Sequence, residues 1–334
     1  MAPILLLASE RSGTNLLRVM FDRHSDVSGP PAPHLLRTLS PLAAAYGDLA
    51  NEDRARAVVR DALELCRTNT GPWTRAHDEA TIVAGAHART IPGLVAATYA
   101  AEAAAEGADD WFCKENELWR FADELAEIPG ARVIHLHRDG RDAALSYRKS
   151  GRVAHTWPRL AEKWRAEQQA CLDTIERLAD IVPTTTIAYE ALTADPEGTL
   201  RAACAALDLR FEDQMTAPEQ STRAQQDATR LEMWRNLDKP VNADNSEKWR
   251  HEAAEADVER FERRAGDMLV RLGYRPAFAD GVRRPLRPLE RVVDTTTYAR
   301  ERVRVMLRSD DAARDDRRAA MRRITKRAGA SAGV

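Results

Sequence analysis

The chain carries two kinds of apolar pattern. Residues 3–8 (PILLLA) are apolar without interruption and bounded by turn residues, which predicts a short buried strand. Arg132–His137 (RVIHLH) predicts a second buried strand, Thr184–Ala188 (TTTIA) a third, and Trp111–Cys113 a shorter one. Elsewhere the spacing is that of a helix. From Ser12 to about His24, the residues Leu16, Leu17, Met20 and Phe21 fall on one face. Helical patterns follow over 48–66, 91–106, 117–128, 140–149, 156–181, 196–207 and 254–272. Asp195-Pro196 opens one of them, an N-cap followed by proline in the first turn. Residues 28–34 (SGPPAPH) must be loop, because the prolines forbid regular pairing, and 217–247 is polar and irregular. Strands alternating with helices predict an α/β fold whose central parallel sheet is flanked by helices on both faces. Such sheets bind ligands at their carboxyl edge, which directs attention to the loop after residue 8.

Composition changes this picture at one end. The 334 residues, 44% hydrophobic, suffice for one large or two ordinary domains. The net charge of −2 does not mark a nucleic-acid binder. Residues 275–334, however, hold 16 Lys/Arg against 8 Asp/Glu. Beyond Tyr274 the stretch RRPLRPLERVV is basic and broken by proline. Residues 295–327 form a long charged helical pattern, and 328–334 look frayed. The expected organisation is a main domain over 1–276 and a basic helical C-terminal extension over 277–334. That extension either packs back as a solvated helix, covers the site, or offers a surface for homodimerisation, a carrier or a membrane. Cys66, Cys113, Cys171 and Cys204 lie far apart with no C-x-x-C spacing, which argues against a disulfide framework and a zinc site. No basic leader with a cleavage-type site is visible, and no apolar run approaches the ~18 residues of a membrane span. A cytoplasmic setting is expected. Arginine far outnumbers lysine, which fits a GC-rich bacterial genome.

The loop after residue 8 reads SERSGTN. It lacks the first glycine and the lysine of a Walker A loop. It does have Gly13 for close backbone approach and N–H groups of 12–15 that open a helix, a ready anion site. Ser12, Thr14 and Asn15 add donors. Arg11 adds a fork suited to phosphate or sulfate oxygens. Glu10 is expected to point away from the anion. A second constellation lies in RVIHLHRDGRDAALSYRKS: Arg138 leaves the end of a buried strand, and Ser146 follows about two helical turns later. His135 and His137 are read as sheet-buried rather than catalytic. Two anion sites on one sheet edge imply a ligand with two separated phosphate-like groups.

These two stretches resemble the phosphosulfate-binding elements of sulfotransferases that use 3′-phosphoadenosine 5′-phosphosulfate. The resemblance continues through IAYEALTADPEGTLRAACAALDLRFE, KPVNADNSEKWR and MLVRLGY, and covers roughly residues 3–276 in order. Within the family the chain looks most like the protein-tyrosine sulfotransferases and their bacterial relatives. The resemblance implies a P-loop-like three-layer fold, that donor, and 3′,5′-adenosine bisphosphate as its product. It also implies residue roles. Arg11, Ser12, Gly13, Thr14 and Asn15 would grip the 5′-phosphosulfate, while Arg138 and Ser146 would hold the 3′-phosphate. Tyr189 would contact the nucleotide, and Lys239, Asn242 and Lys248 would belong to a late loop closing over it. Ser150 stands where the tyrosine-specific relatives carry an arginine, which Arg148 or Lys149 would replace. Lys114 matches a family lysine at the leaving group.

Sulfuryl transfer also needs a base for the acceptor hydroxyl. The family's glutamate is missing from SGPPAPHLLRTL, and His34 is the expected base, with Glu115 and His87 as alternatives. Arg11, Lys114 and His34 are thus the expected catalytic residues, with no metal required. A small-molecule kinase on the same fold would need a loop lysine and an acidic magnesium ligand. Arg138 occupies the place of that ligand. A non-catalytic nucleotide-binding scaffold using the basic tail is the remaining alternative. The acceptor is a hydroxyl-bearing small molecule, carbohydrate or peptide, whose wall is expected within 36–110.

Overall fold

The computed structural model describes residues 1–150, 154–230, 234–278, 280–308 and 312–331, without the side chains of 306–308, 312–314, 330 and 331. Its centre is a five-stranded sheet of β1 (Pro3–Ala8), β2 (Val27–Ser28), β3 (Asp110–Cys113), β4 (Arg132–His137) and β5 (Thr184–Ala188). The strand order is β2-β3-β1-β4-β5, and every pair is parallel. Ile4 stands opposite Phe112 on one side and Arg132 on the other, and His135 stands opposite Thr186.

Alternate residues of a strand face opposite sides. Leu5, Leu7 and Val133 pack into one core with Leu94, Tyr99 and Cys171 from the helices Ile91–Glu106 and Trp157–Leu178. Ile4, Leu6, Ile134 and Leu136 pack into a second core with Leu17, Phe21 and Leu200 from the helices Thr14–Asp22 and Pro196–Ala206. Both faces are covered, so β1 must be apolar at consecutive positions, which is the unbroken run seen in the sequence. The strand β2 pairs only through Val27 and Ser28 at the sheet edge. It has no apolar run to announce it. The pattern at 117–128 resolves into a short turn, Leu118–Arg120, and a short helix, Ala122–Ala126. The segment 217–247 contains a helix, Thr222–Arg230, which the buried pair Arg18–Asp227 ties to the first helix.

The C-terminal pattern forms two helices, Pro288–Arg308 and Ala312–Ser331, and both lie against the body. Ala320, Ile324 and Ala328 are buried. Arg323 pairs with Glu64 at 2.7 Å, and Arg327 pairs with Asp61 at 2.5 Å. In the preceding helix Glu290 pairs with Arg263 and Asp294 with Arg159. Basic residues of the last helix thus meet acids of the main domain. All four cysteines are free and buried. Among the described residues no helix is long and apolar enough to cross a membrane.

Candidate active site

The carboxyl ends of four strands deliver the chemistry. The turn 9–13 follows β1, Lys114 follows β3, Arg138 follows β4, and Tyr189 follows β5. The turn after β1 is bent by left-handed residues, Arg11 at φ 69° and Gly13 at φ 86°. Gly13 caps the helix Thr14–Asp22. A Cβ there would meet Tyr189 Cδ2 at 2.2 Å, so the tyrosine ring lies on a backbone that only glycine keeps open.

Side-chain bonds join the stretches that the sequence keeps far apart. Arg11 donates from Nε and Nη2 to Ser146 Oγ at 3.0 and 2.9 Å. Arg138 donates to the Arg11 carbonyl at 3.3 Å and to the Asn245 carbonyl at 2.6 Å. Its guanidinium carbon lies 4.4 Å from the centre of the Tyr189 ring, and its Nε is buried without a partner. Asn245 Nδ2 donates to the Tyr189 hydroxyl at 2.7 Å. Asp142 accepts the Glu247 and Trp249 N–H groups at 2.7 and 2.9 Å and so fixes the segment that carries Asn245. Burial raises the Asp142 carboxyl to about 6. Glu190 accepts the Asp139 N–H and the Tyr274 hydroxyl, steadying the turn after β4.

Ser12 is buried, with its Oγ 2.8 Å from Ser9 Oγ. Ser9 in turn accepts from Gln168 Nε2, and Gln168 Oε1 lies 2.8 Å from His135 Nε2. Since an amide oxygen only accepts, His135 carries its proton on Nε2. His137 donates through Nδ1 to the Tyr274 hydroxyl, which already gives its proton to Glu190. Burial lowers both histidines to about 4. Both are neutral members of the support beneath the loop.

A second group gathers around the end of β3. His34 is left-handed at φ 57° and opens the short helix Leu35–Leu39. Its Nδ1 is buried without a hydrogen bond. Burial pushes its imidazole well below the ordinary value, and the charges of Lys114, Arg37 and Arg317 push the same way. Lys114 makes no side-chain bond to a described residue. Burial, opposed by Glu10, lowers it to about 8. Glu115 is buried, its Oε1 accepting from Leu35 N at 3.0 Å and the Tyr99 hydroxyl at 2.9 Å. Its Oε2 has no partner, and burial raises its carboxyl above the ordinary value.

The remaining expected residues make no described side-chain bond to either group. Thr14 and Asn15 are half-buried at the helix start. Lys239 donates to Asn236, and Asn242 caps its own turn through Asp244 N. Lys248 caps the helix Trp249–Glu252. Arg148 donates to the His155 carbonyl, Lys149 pairs with Glu252, and Ser150 bonds the Tyr147 carbonyl. His87 is exposed. Glu10 accepts from Asn116 and lies 3.6 Å from Lys163. It borders a cavity of about 140 Å³ shared with Arg37, Trp119, Lys163 and Glu167. Sequence reasoning missed Asn245, Asp142, Glu190, Ser9 and Gln168. Asn245 lies within the NADNSEKW stretch, but spacing alone does not say which asparagine turns inward.

Comparison with known proteins bears on the family and the fold. The family model described as "Sulfotransferase family" matches residues 3–213. The sulfotransferase domain of the Synechococcus PCC 7002 olefin synthase aligns with a TM-score of 0.51 at 21% identity, over 78% of this chain and 93% of that one. The sulfotransferase domain from the curacin biosynthetic pathway aligns with a TM-score of 0.54 at 17% identity, over 83% and 99%. At these identities the structural likeness concerns the fold. No curated protein matches the chain. The family match spans well over half the sequence and begins at β1, and the chain belongs to the sulfotransferase family.

Proposed function

We propose that the protein transfers a sulfuryl group from 3′-phosphoadenosine 5′-phosphosulfate to a hydroxyl of a polar acceptor. The observation that carries this reading is the cradle of Arg11, Arg138, Ser146 and Tyr189 around the glycine-bent turn. Its chemistry fits the donor. Arg138 is bonded to carbonyls rather than carboxylates, which leaves its positive charge for an anion, and its buried Nε still lacks an acceptor. Helix-opening N–H groups at 12–15 add to the same field.

When bound, the donor supplies the sulfuryl group and a bridging oxygen that gains negative charge. The chain does the rest. Arg11, Ser12 and Gly13 orient the sulfate end, Arg138 and Ser146 hold the second phosphate, and Thr14 and Asn15 add donors at the helix start. Tyr189 lies against the turn, and Lys239, Asn242 and Lys248 belong to the segment that closes the nucleotide side. Lys114, protonated below about 8, places positive charge where negative charge develops. His34, neutral and with Nδ1 unbonded, accepts the hydroxyl proton. The acceptor occupies the cavity beside Glu10, whose lining of Glu10, Arg37, Lys163 and Glu167 favours polar over lipid-like molecules.

Thermal shift tests the donor. At 100 times Kd, 3′,5′-adenosine bisphosphate should stabilise the protein by about 2.7 kcal/mol, and ATP should not. Labelled donor mixed with sugars, phenols and peptides then reports transfer. Stabilisation by magnesium-ATP alone, with no transfer to any hydroxyl, would sink the proposal.

A further inference from the structure

The proline loop 28–34 poses a bonding problem. Pro30, Pro31 and Pro33 have no N–H, so the loop cannot hold itself in place by a backbone ladder. Its carbonyls are held from outside instead. Arg18 donates to the Gly29 carbonyl at 2.7 Å, Trp73 Nε1 to Pro31 at 2.9 Å, and Asn69 Nδ2 to Ala32 at 3.1 Å. The last carbonyl before His34 is that of Pro33, and its donor is Arg317 Nη2 at 2.5 Å. Arg317 also reaches the Leu65 carbonyl with Nη1 at 3.4 Å. It comes from the C-terminal helix Ala312–Ser331, beyond residues 3–213 of the family match.

We propose that this C-terminal helix completes the catalytic site, with Arg317 as a positioning residue that fixes the Pro33–His34 turn. The role rests on the reading of His34 as the base. Three observations support it. The helix is anchored independently by Ile324, Ala328 and the pairs to Asp61 and Glu64, so Arg317 is presented from a fixed support. His34 has left-handed φ, a conformation that persists only when its surroundings enforce it. The charge of Arg317 also acts on both His34 and Glu115. His34 faces Lys114 from the end of β3, Arg37 from the helix Leu35–Leu39, and Arg317 from the C-terminal helix. The Glu115 carboxylate sits on the adjacent Leu35 N–H.

The test compares Arg317→Met, Arg317→Lys and Arg323→Ala in the full chain. Histidine ring signals are followed by NMR against pH, with His34 assigned by its loss in His34→Asn. In Arg317→Met one cation beside His34 is gone, so its titration midpoint should rise. The acid limb of kcat should rise with it, and turnover should fall by about tenfold as the turn loosens. Arg317→Lys should keep the midpoint but lose a few-fold in kcat, because an ammonium does not reproduce the fork to two carbonyls. Arg323→Ala should lower Tm and leave the midpoint and pH profile alone. The proposal is overturned if Arg317→Met behaves like Arg323→Ala. Should Arg317→Met not fold, unchanged turnover in Arg317→Lys overturns it. If the wild-type chain transfers no sulfuryl group, the function fails, yet the His34 midpoint still decides the role of Arg317.

Discussion

The proposed anion cradle and the proposed proton-handling corner are built on opposite principles. In the cradle, bonds lock each group. Arg11 is tied to Ser146, Arg138 to Arg11 and Asn245, and Tyr189 to Asn245, with its ring packed on Gly13. In the corner, Lys114 and His34 make no side-chain bond to a described residue, and burial shifts them toward their neutral forms. For His34 against the cradle arginines, the contrast follows from the proposed tasks. Charge that must stabilise charge works best when preorganised. A group that must take a proton works best unsatisfied, with an environment that tunes its affinity.

The sharpest way to break this comparison is to remove one group from each side. His34→Ala should cut kcat by roughly 10²–10⁴ and leave bisphosphate affinity unchanged. Full turnover in that variant would return the base to Glu115 or His87. Arg138→Ala should do the reverse in kind. Each charge-assisted bond is worth about 1.5–3 kcal/mol, so bisphosphate Kd should weaken by roughly 10–100-fold. Calorimetry reads this directly. A change in kcat without a change in Kd would move Arg138 out of the cradle.

The two sides were also unequally legible in the sequence. The cradle is made of strand ends. The unbroken runs at 3–8 and 132–137 announce the strands, and Arg11, Gly13 and Arg138 follow within a few residues. Local pattern suffices there, because a parallel sheet puts strand ends on one edge. Asn245 and Asp142 escaped because their inward turn is set by a bond between distant segments. The corner is assembled over still longer separations. His34 was singled out because it stands near where the resembled relatives carry a glutamate base, but spacing does not reveal that Arg317 holds that loop. The charge asymmetry of the tail was visible, and its partners Asp61 and Glu64 were not. The edge strand β2 left no signal because two residues carry no periodicity.

Lys114 sharpens the corner through pH. Its folded value of about 8 lies below the ordinary lysine value, so it carries its charge below 8 and loses it above. Turnover should therefore decline about tenfold per pH unit above 8. Stability should move the other way. Between that value and the ordinary one the unfolded chain binds more protons, so Tm should rise with pH across this window as far as Lys114 governs it. Lys114→Arg keeps its charge and should remove the alkaline limb of activity. A limb unchanged in Lys114→Arg would assign it to another group.

The smallest expected effect lies beneath the cradle. His135 donates to Gln168 Oε1, and Gln168 donates to Ser9 Oγ. Ser9 Oγ also lies 2.8 Å from Ser12 Oγ, and either hydroxyl can donate across that pair. When Ser9 is the donor, Ser12 has its hydroxyl proton free to turn toward an anion on the loop. Ser9→Ala leaves the Gln168 amide without an acceptor and Ser12 without its hydroxyl partner, but removes no charge and moves no arginine. About 1 kcal/mol of stability should be lost, with a few-fold weaker bisphosphate binding and unchanged kcat. A hundredfold loss of affinity would mean that Ser9 itself touches the anion. An unchanged Kd would mean that Ser12 finds its orientation without the relay, and that the cradle depends on its arginines and Gly13 alone.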